Sequence, residues 1–200
     1  MRIVLIGDSI TLGRKASTRD NSWSRRLEAY LKANFKGSFQ MNNNAVEGEI
    51  AQTGFDDVED NVIKYTPDIV FIGYGTNDCT KERGRYVNDI YNFESNMEDI
   101  AEAIRSQTNA VIIFNLAPPV IEELCNNGII TIHNRDIEAY NKVVKRICAS
   151  MALSFIDHYS IMSGKKGLNK LIDLDGVHPN DEGHRVLFES IIASAGHYFK

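Results

Sequence analysis

The sequence predicts an α/β fold in which helices cover both faces of a parallel sheet. Segments with apolar residues at helical spacing alternate along the chain with short apolar runs, and this is the order of elements in α/β proteins. The short runs are continuously apolar rather than alternating, as is typical of strands buried on both faces. Right-handed crossover connections would place the helices on both sides of the sheet.

Five runs are predicted to form the strands of that sheet. Residues 2–7 form a short buried strand at the start of the chain, and residues 68–74 have the clearest strand pattern. Residues 38–44 have the weakest pattern of the five. The remaining two strands are predicted at 110–116 and 154–156.

Apolar residues at helical spacing predict five helices. The first follows a cap at Asn21 or Ser22 and ends at Gly37, and the second covers residues 55–65. Residues 158–173 are expected to form a loop with one helical turn. The other helices are predicted at 90–104, at 137–151 and from about residue 181.

Length and composition indicate one globular unit. The chain has 200 residues, of which 43% are hydrophobic and 24% charged, so it can bury a core without disulfides or metals. It contains no internal repeat and no linker-like segment, and we therefore expect residues 1–200 to form a single domain. The net charge of -5 argues against a nucleic-acid binder, which would carry a basic surface.

The cysteines and the hydropathy pattern indicate a cytoplasmic protein. Cys79, Cys125 and Cys148 are odd in number and form no CxxC pair, so they predict neither a disulfide framework nor a zinc site. Free thiols fit a reducing compartment. The first strand begins at Arg2, which leaves no room for a signal peptide, and no run approaches the roughly 18 apolar residues of a membrane helix.

Four polar clusters follow predicted strands or lie in the last connection of the chain. They contain Ser9, Gly48, Asn77 and the pair Asp175 and His178. Because the carboxyl ends of parallel strands meet at one edge of a sheet, these residues could share a crevice.

The residue types in these clusters suit acyl transfer. A serine hydroxyl such as that of Ser9 needs a base, and His178 has an ordinary pKa near neutrality. Asp175 could accept the other ring N–H of His178 and hold its tautomer. The backbone N–H groups of Ser9 and Gly48 and the amide of Asn77 could bind the oxyanion.

The same blocks resemble those of the SGNH (GDSL-type) hydrolases. They are Gly7-Asp8-Ser9, Asn44 followed by Gly48, Gly75-Thr76-Asn77-Asp78, and Asp175-Gly176-Val177-His178-Pro179. Their order, their spacing and the chain length all agree with that family. The resemblance implies a flavodoxin-like, three-layer α/β/α sandwich with a five-stranded parallel sheet. It also implies ester hydrolysis by a Ser-His-Asp triad that needs neither a metal nor an organic cofactor.

By this resemblance Ser9 is the nucleophile, His178 the base and Asp175 the acid that orients it. Ser9, Gly48 and Asn77 would form the oxyanion hole. The expected substrate is a small-molecule carboxylic ester with a short-chain acyl or O-acetyl group. Longer chains, as in lysophospholipases and thioesterases, are the alternative. A homodimer is compatible with the sequence, although no feature requires one.

Three positions in or near these blocks affect the expected site. Asp8 is expected to support the turn around Ser9 rather than to take part in chemistry. Glu47 directly precedes Gly48, and a carboxylate there would oppose a developing oxyanion unless it points away. The Gly-Asp-Ser-Leu motif that gives the family its name has Leu where this chain has Ile10. Exchange of one aliphatic side chain for another should matter little.

Two other classes of function remain open at this stage. A metal-dependent hydrolase would need three protein ligands, which Asp8, Asp78, Asp175 and His178 could supply. A binding module with a vestigial catalytic set has no evident need for the whole set of polar residues.

Several remaining residues are interpreted as structural. Asp157 and His158 resemble a catalytic acid–base pair but are not expected to act as one, because adjacent residues at a strand end point apart. The other histidines are expected at the surface; they are His133, His184 and His197. The aromatic residues of the first predicted helix are expected in the core; they are Trp23, Tyr30 and Phe35. Cys79 is expected to be an ordinary thiol near the pocket.

Three long connections are expected to shape the site, because long loops in compact domains are often functional. They are residues 12–21, 79–88 and 118–134.

Overall fold

A computed structural model of the protein describes residues 1–165 and 167–199. Its main sheet has five parallel strands, which confirms the predicted α/β fold. The strands of the described residues are β1 (Arg2–Gly7), β2 (Gln40–Asn43), β3 (Ile69–Gly73), β4 (Lys81–Glu82), β5 (Arg85–Tyr86), β6 (Val111–Asn115), β7 (Ile130–Thr131) and β8 (Ser154–Ile156). The sheet order is β2-β1-β3-β6-β8, the flavodoxin-like order when the strands of this sheet are counted along the chain.

Helices cover both faces of the sheet. The described helices are α1 (Ser9–Leu12), α2 (Trp23–Asn34), α3 (Ala51–Asp56), α4 (Val58–Asn61), α5 (Ile90–Gln107), α6 (Glu122–Cys125), α7 (Asn134–Met151), α8 (His158–Ser163) and α9 (Asp181–Ala195). Within the residues that the structure describes, none of these helices combines the length and the apolar character that a membrane span requires.

Alternate residues of each strand face opposite layers, as the pleat of a strand requires. Ile6 and Ile72 pack in a cluster with residues of α3, α4, α5 and α7. Leu5 and Phe71 pack in a second cluster with residues of α2, α8 and α9. The three-layer sandwich implied by the resemblance is therefore present.

The prediction of one helix at 55–65 was wrong in two respects. The helical segment begins earlier than predicted, and it is divided into separate short elements. The structure has α3, α4 and a 3₁₀ turn at 63–65, and Asp57 lies at the break between α3 and α4 with φ -103° and ψ 8°. The helix begins earlier because the carboxylate of Asp78 accepts a hydrogen bond from the Ala51 N–H at 2.9 Å. Gly54 lies against the ring of Tyr74, where a Cβ would be 2.5 Å from the ring.

The helix α2 also ends earlier than predicted, at Asn34 rather than at Gly37. Phe35 leaves the helix in an extended conformation and packs edge-on against Phe39, with ring centroids 6.4 Å apart. Its start agrees with the prediction, since the Ser22 hydroxyl accepts a hydrogen bond from the Arg25 N–H.

A second, three-stranded antiparallel sheet was not predicted. It has the order β5-β4-β7 and joins two of the three long connections. Asp136, at the start of α7, anchors it through Lys81 Nζ at 2.9 Å and through the Tyr86 hydroxyl at 3.0 Å. The two connections therefore form one ribbon rather than two independent loops.

The turn after β1 rests on a buried carboxylate. Asp8 caps α1 by accepting a hydrogen bond from the Ile10 N–H at 2.9 Å, as expected from the sequence. It is only 3% exposed and lines a small cavity of about 20 Å³ that Tyr74 and His158 also line. Burial, with a smaller contribution from the nearby Asp78, raises the pKa of Asp8 to about 7.

The turn is also held from the other side by Trp23. Its ring is 2% exposed, and its indole N–H donates to the Ile10 carbonyl at 2.9 Å. The ring packs edge-on against Phe71, with centroids 6.5 Å apart. Trp23 is therefore a core residue, as predicted.

We predict that Asp8→Asn stabilises the protein in a pH-dependent way. The pKa of Asp8 is higher in the folded state than in the unfolded chain, so wild-type stability falls as pH rises from about 4 to about 7. The variant keeps an oxygen for the Ile10 N–H but buries no charge. Its advantage should be small at pH 4 and approach about 4 kcal/mol above pH 7, at about 1.4 kcal/mol per pKa unit.

Urea unfolding of both proteins between pH 4 and pH 9 measures this difference. The groups around Asp8, chiefly Asp78, Tyr74 and His158, are the same in both proteins. A difference in the free energy of unfolding that does not change with pH would contradict the buried charge.

Candidate active site

Three residues that are distant in the sequence form a continuous hydrogen-bonded chain. The Ser9 hydroxyl lies 2.8 Å from His178 Nε2. His178 Nδ1 lies 2.8 Å from Asp175 Oδ2. With Nδ1 protonated, His178 donates to the carboxylate and presents a free lone pair to the serine hydroxyl. The structure thus brings together the three residues predicted for the triad.

Ser9 is the first residue of α1, directly after its cap Asp8. The residue is 6% exposed and lies at the end of β1. As the first helical residue, Ser9 has a backbone N–H without an intrahelical acceptor. The hydroxyl and this N–H therefore belong to the same short turn.

The acid and the base lie in one tight turn. Asp175 Oδ1 accepts hydrogen bonds from the backbone N–H groups of Val177 at 2.9 Å and His178 at 3.0 Å. Partial burial raises the pKa of Asp175, but these bonds and the His178 ring outweigh it and leave the pKa below its ordinary value. Asp175 is therefore ionised near neutral pH and can stabilise an imidazolium.

The helix α6 packs directly against this turn. Gly176 has φ +78°, and a Cβ on it would lie 2.7 Å from Leu124 Cβ and 2.8 Å from the Ile121 carbonyl oxygen. The Ile121 N–H donates to the Gly176 carbonyl at 2.8 Å. The connection at 118–134 thus supports the acid and base, in agreement with its predicted place near the site.

Gly48 and Asn77, which are predicted to complete the oxyanion hole with Ser9, lie on two linked turns. Gly48 is exposed, with φ +83°, between β2 and α3. Asn77 is half-buried, and its side-chain amide donates to the Glu49 carbonyl at 2.8 Å. A primary amide has two N–H donors, so this bond fixes the side chain beside the Gly48 turn while leaving a donor for another oxygen.

Asp78 holds these two turns together. One carboxylate oxygen accepts from the Ala51 N–H and from the Asn88 amide, each at 2.9 Å, and the other accepts from the Gly75 N–H at 2.9 Å. Burial raises the pKa of Asp78. From the sequence, Asp78 belongs to the Gly75–Asp78 block and is a possible metal ligand, and this anchoring role was not predicted. Its place beside Asn77 was the only signal.

The carboxylate of Glu47 forms an ion pair. Its Oε2 lies 3.1 Å from Arg14 Nη1, and both side chains are about half exposed. The guanidinium of Arg14 therefore compensates the negative charge of Glu47 beside Gly48. The next acid, Glu49, accepts a hydrogen bond from the Tyr74 hydroxyl at 3.3 Å, and burial raises its pKa.

Asp157 and His158 do not form a dyad. His158 is buried, lies 3.2 Å from the Asn115 amide oxygen and 2.9 Å from the Ser190 hydroxyl. Burial lowers the pKa of His158 to about 4, so the ring is neutral. Asp157 instead pairs with Lys145 Nζ at 2.6 Å. The adjacent side chains point apart, as predicted.

The expectation that the other histidines lie at the surface was wrong for His184. This residue is fully buried, and its Nε2 lies 2.9 Å from the Arg14 carbonyl oxygen. His197 is exposed, and His133 is partly exposed with its ring 2.7 Å from Glu122. Cys79 is fully buried, which raises the pKa of its thiol.

The donor atoms do not favour the metal alternative. Over residues 1–165 and 167–199, no three His, Cys, Asp or Glu side chains are grouped closely enough to hold a metal ion. Asp8 and Asp78 accept hydrogen bonds from backbone N–H groups in the interior.

Comparisons with known proteins identify the family to which the chain belongs. The model of the GDSL-like Lipase/Acylhydrolase family matches residues 5–186. A multidomain esterase of Ruminococcus flavefaciens is 27% identical over 130 residues, which are 62% of this chain and 15% of that protein. The chain therefore spans only a small part of that relative.

Solved structures share the fold over nearly the whole chain. The lipase/acylhydrolase from Enterococcus faecalis has a TM-score of 0.86 and 23% identity, covering 100% of this chain and 97% of that one. The acetylxylan esterase Axe2 from Geobacillus stearothermophilus has a TM-score of 0.79 and 21% identity, covering 98% and 94%. Because the family model spans most of its residues, the chain belongs to the GDSL-like lipase/acylhydrolase family.

Proposed function

We propose that residues 1–200 act as one domain that hydrolyses small carboxylic esters through an acyl-enzyme on Ser9. The observation that carries this proposal is the hydrogen-bonded chain from the Ser9 hydroxyl through His178 to Asp175, with 2.8 Å at each link. A nucleophile within reach of a base, and a base oriented by a third group, are the requirements for an activated serine.

In the first half-reaction Ser9 Oγ attacks the ester carbonyl while its proton moves to His178 Nε2. The carbonyl π electrons move to the oxygen, and a tetrahedral intermediate forms. Its collapse restores the carbonyl and breaks the bond to the alcohol, which leaves with the proton from His178. In the second half-reaction His178 activates a water, which releases the acid and regenerates Ser9.

Asp175 holds the His178 ring in the productive tautomer. It remains ionised because its pKa is lowered by hydrogen bonds that outweigh the effect of partial burial. Its negative charge stabilises the imidazolium that forms in each half-reaction. The ordinary role of such an acid is orientation rather than proton uptake.

The oxyanion would be bound by the backbone N–H groups of Ser9 and Gly48 and by the Asn77 amide. The bond from Asn77 to the Glu49 carbonyl supports this assignment because it pins the amide beside the Gly48 turn. One such donor is typically worth about 100- to 1000-fold in rate. The pairing of Glu47 with Arg14 reduces its repulsion of the oxyanion.

For the substrate, we propose a short-chain acyl or O-acetyl ester. The loops near the site form a compact ribbon of two-residue strands rather than an extended apolar lid. One observation favours longer acyl chains instead. Leu124, Ile129 and Ile130 are 51%, 55% and 42% exposed, and they belong to the connection that supports the acid–base turn.

We predict that a fluorophosphonate labels the wild-type protein and does not label Ser9→Ala, because only an activated hydroxyl reacts with this probe. Gel fluorescence and peptide mass spectrometry measure the labelling. Ser190→Ala is a matched control, since Ser190 also contacts a histidine, with its hydroxyl 2.9 Å from His158 Nδ1. This control should keep its label. A folded wild type that takes no label would contradict the serine-hydrolase proposal.

We also predict that kcat/KM is highest for acetyl to butyryl esters and falls for octanoyl esters of the same alcohol. A spectrophotometric series of p-nitrophenyl esters measures it. If the acyl chain instead lies on the exposed apolar residues, each buried methylene would raise kcat/KM, by up to about fourfold. In that case Ile130→Ser would lower the values for long chains only, and the short-chain proposal would fail.

A further inference from the structure

The segment that follows the nucleophile helix is fixed at both ends. We name residues 13–17 the bridging loop. At its start the Arg14 N–H donates to the Ser9 carbonyl at 2.9 Å, and the Arg14 carbonyl lies 2.9 Å from His184 Nε2. At its end the Ser17 N–H and hydroxyl donate to the Asp181 carboxylate at 2.7 and 2.6 Å. The loop is therefore held between α1 and α9.

Lys15, at the centre of the bridging loop, has a left-handed backbone conformation with φ +67°. Residues other than glycine rarely adopt it, and they do so where surrounding contacts impose the conformation. The contacts at both ends of the loop impose it here. The consequence is that the Lys15 side chain extends toward the acid–base turn.

The Lys15 ammonium contacts two carboxylates of that turn. Its Nζ lies 3.1 Å from Asp173 Oδ1 and 3.6 Å from Asp175 Oδ2. The second oxygen is the one that faces His178 Nδ1 at 2.8 Å. The hydrogen bond with Asp173 is the main reason why the pKa of Lys15 is raised, so the ammonium is charged near neutral pH.

Asp173 is itself tied to the base. Its N–H donates to the His178 carbonyl at 2.8 Å, and its carbonyl accepts from the Gly176 N–H at 3.0 Å. The turn from 173 to 178 is thus closed on itself, and Lys15 joins it to the loop that follows Ser9. Arg14 makes the corresponding link to the Gly48 turn through Glu47.

We propose that Lys15 is a positioning residue, whose ammonium holds the Asp175 carboxylate toward His178 and fixes the acid–base turn relative to Ser9. This inference rests on the proposed function of the triad. Lys15 acts through Asp175 rather than on the substrate. Sequence reasoning could not find it, since Lys15 lies in a polar loop with no motif around it.

The test compares three variants of Lys15. We expect Lys15→Met to lower kcat and the fluorophosphonate labelling rate by about 3- to 10-fold with KM unchanged. Half-exposed ion pairs are weak, but small displacements of catalytic groups are costly. Lys15→Arg should restore at least about half of the wild-type kcat, because the guanidinium supplies the same charge.

Lys15→Gly separates the charge from the backbone. Glycine adopts the left-handed conformation without penalty, so a role confined to the shape of the loop predicts full activity for this variant. Our proposal predicts the same loss as for Lys15→Met. The matched surface control is Lys32→Met, which removes another ammonium that pairs with an acid, Glu28, at 2.7 Å. It should leave kcat unchanged.

A spectroscopic readout does not depend on ester turnover. The proton NMR signal of the His178 Nδ1–H reports its hydrogen bond to Asp175, and we expect it to shift in Lys15→Met but not in Lys32→Met. An unchanged signal together with unchanged kcat, or a fully active Lys15→Gly, would overturn the proposal. If the wild type takes no fluorophosphonate label, the proposed function fails, whereas the NMR comparison still tests the contact with Asp175.

Discussion

The parallel register of β1 with β3 is the constraint on which the rest of the site depends. Gly7 lies opposite Gly73 in this register, so the turns after both strands leave the sheet at the same edge. One turn carries Ser9 and the other leads to Asn77. The pairing of β1 with β2 adds the chain that leads to Gly48. Three of the four polar clusters are therefore gathered by sheet pairing, and only the acid–base turn must be brought in by the last connection.

The turns that carry the site bury two carboxyl groups, and burial of a carboxylate charge lowers stability. Asp8 and Asp78 are almost completely buried, and burial raises the pKa of both. Asp8 accepts a hydrogen bond from the Ile10 N–H, and Asp78 accepts hydrogen bonds from the Ala51 and Gly75 N–H groups, at the turns that carry the site. Buried carboxylates that are fully hydrogen-bonded fix local geometry, although they cost stability when ionised. The buried carboxyl groups of Asp8 and Asp78 thus lower the stability of the protein and hold the turns around Ser9 and Asn77 in place.

Features that depend on local sequence patterns were predicted correctly. Features that depend on contacts between residues distant in the sequence were not predicted. Apolar runs and helical spacing were sufficient for the five parallel strands and for the layers of helices. The polar blocks were sufficient to predict that Ser9, Asp175 and His178 lie together. The early start of α3 depends on Asp78, which is 27 residues away in sequence from Ala51. The burial of His184 depends on the Arg14 carbonyl, and the ribbon of β4, β5 and β7 depends on Asp136. None of these contacts leaves a periodic or local signal.

The central claim is that an acyl group is transferred to Ser9, and direct trapping tests it most closely. The protein would be mixed with an activated acetyl ester, quenched in acid within the first turnovers, digested and analysed by peptide mass spectrometry. The account predicts one acetyl group on the peptide that contains Ser9, and its loss when the ester is exhausted before the quench. Turnover of the ester without any acylated Ser9 peptide, or with the acyl group on another residue, would contradict it.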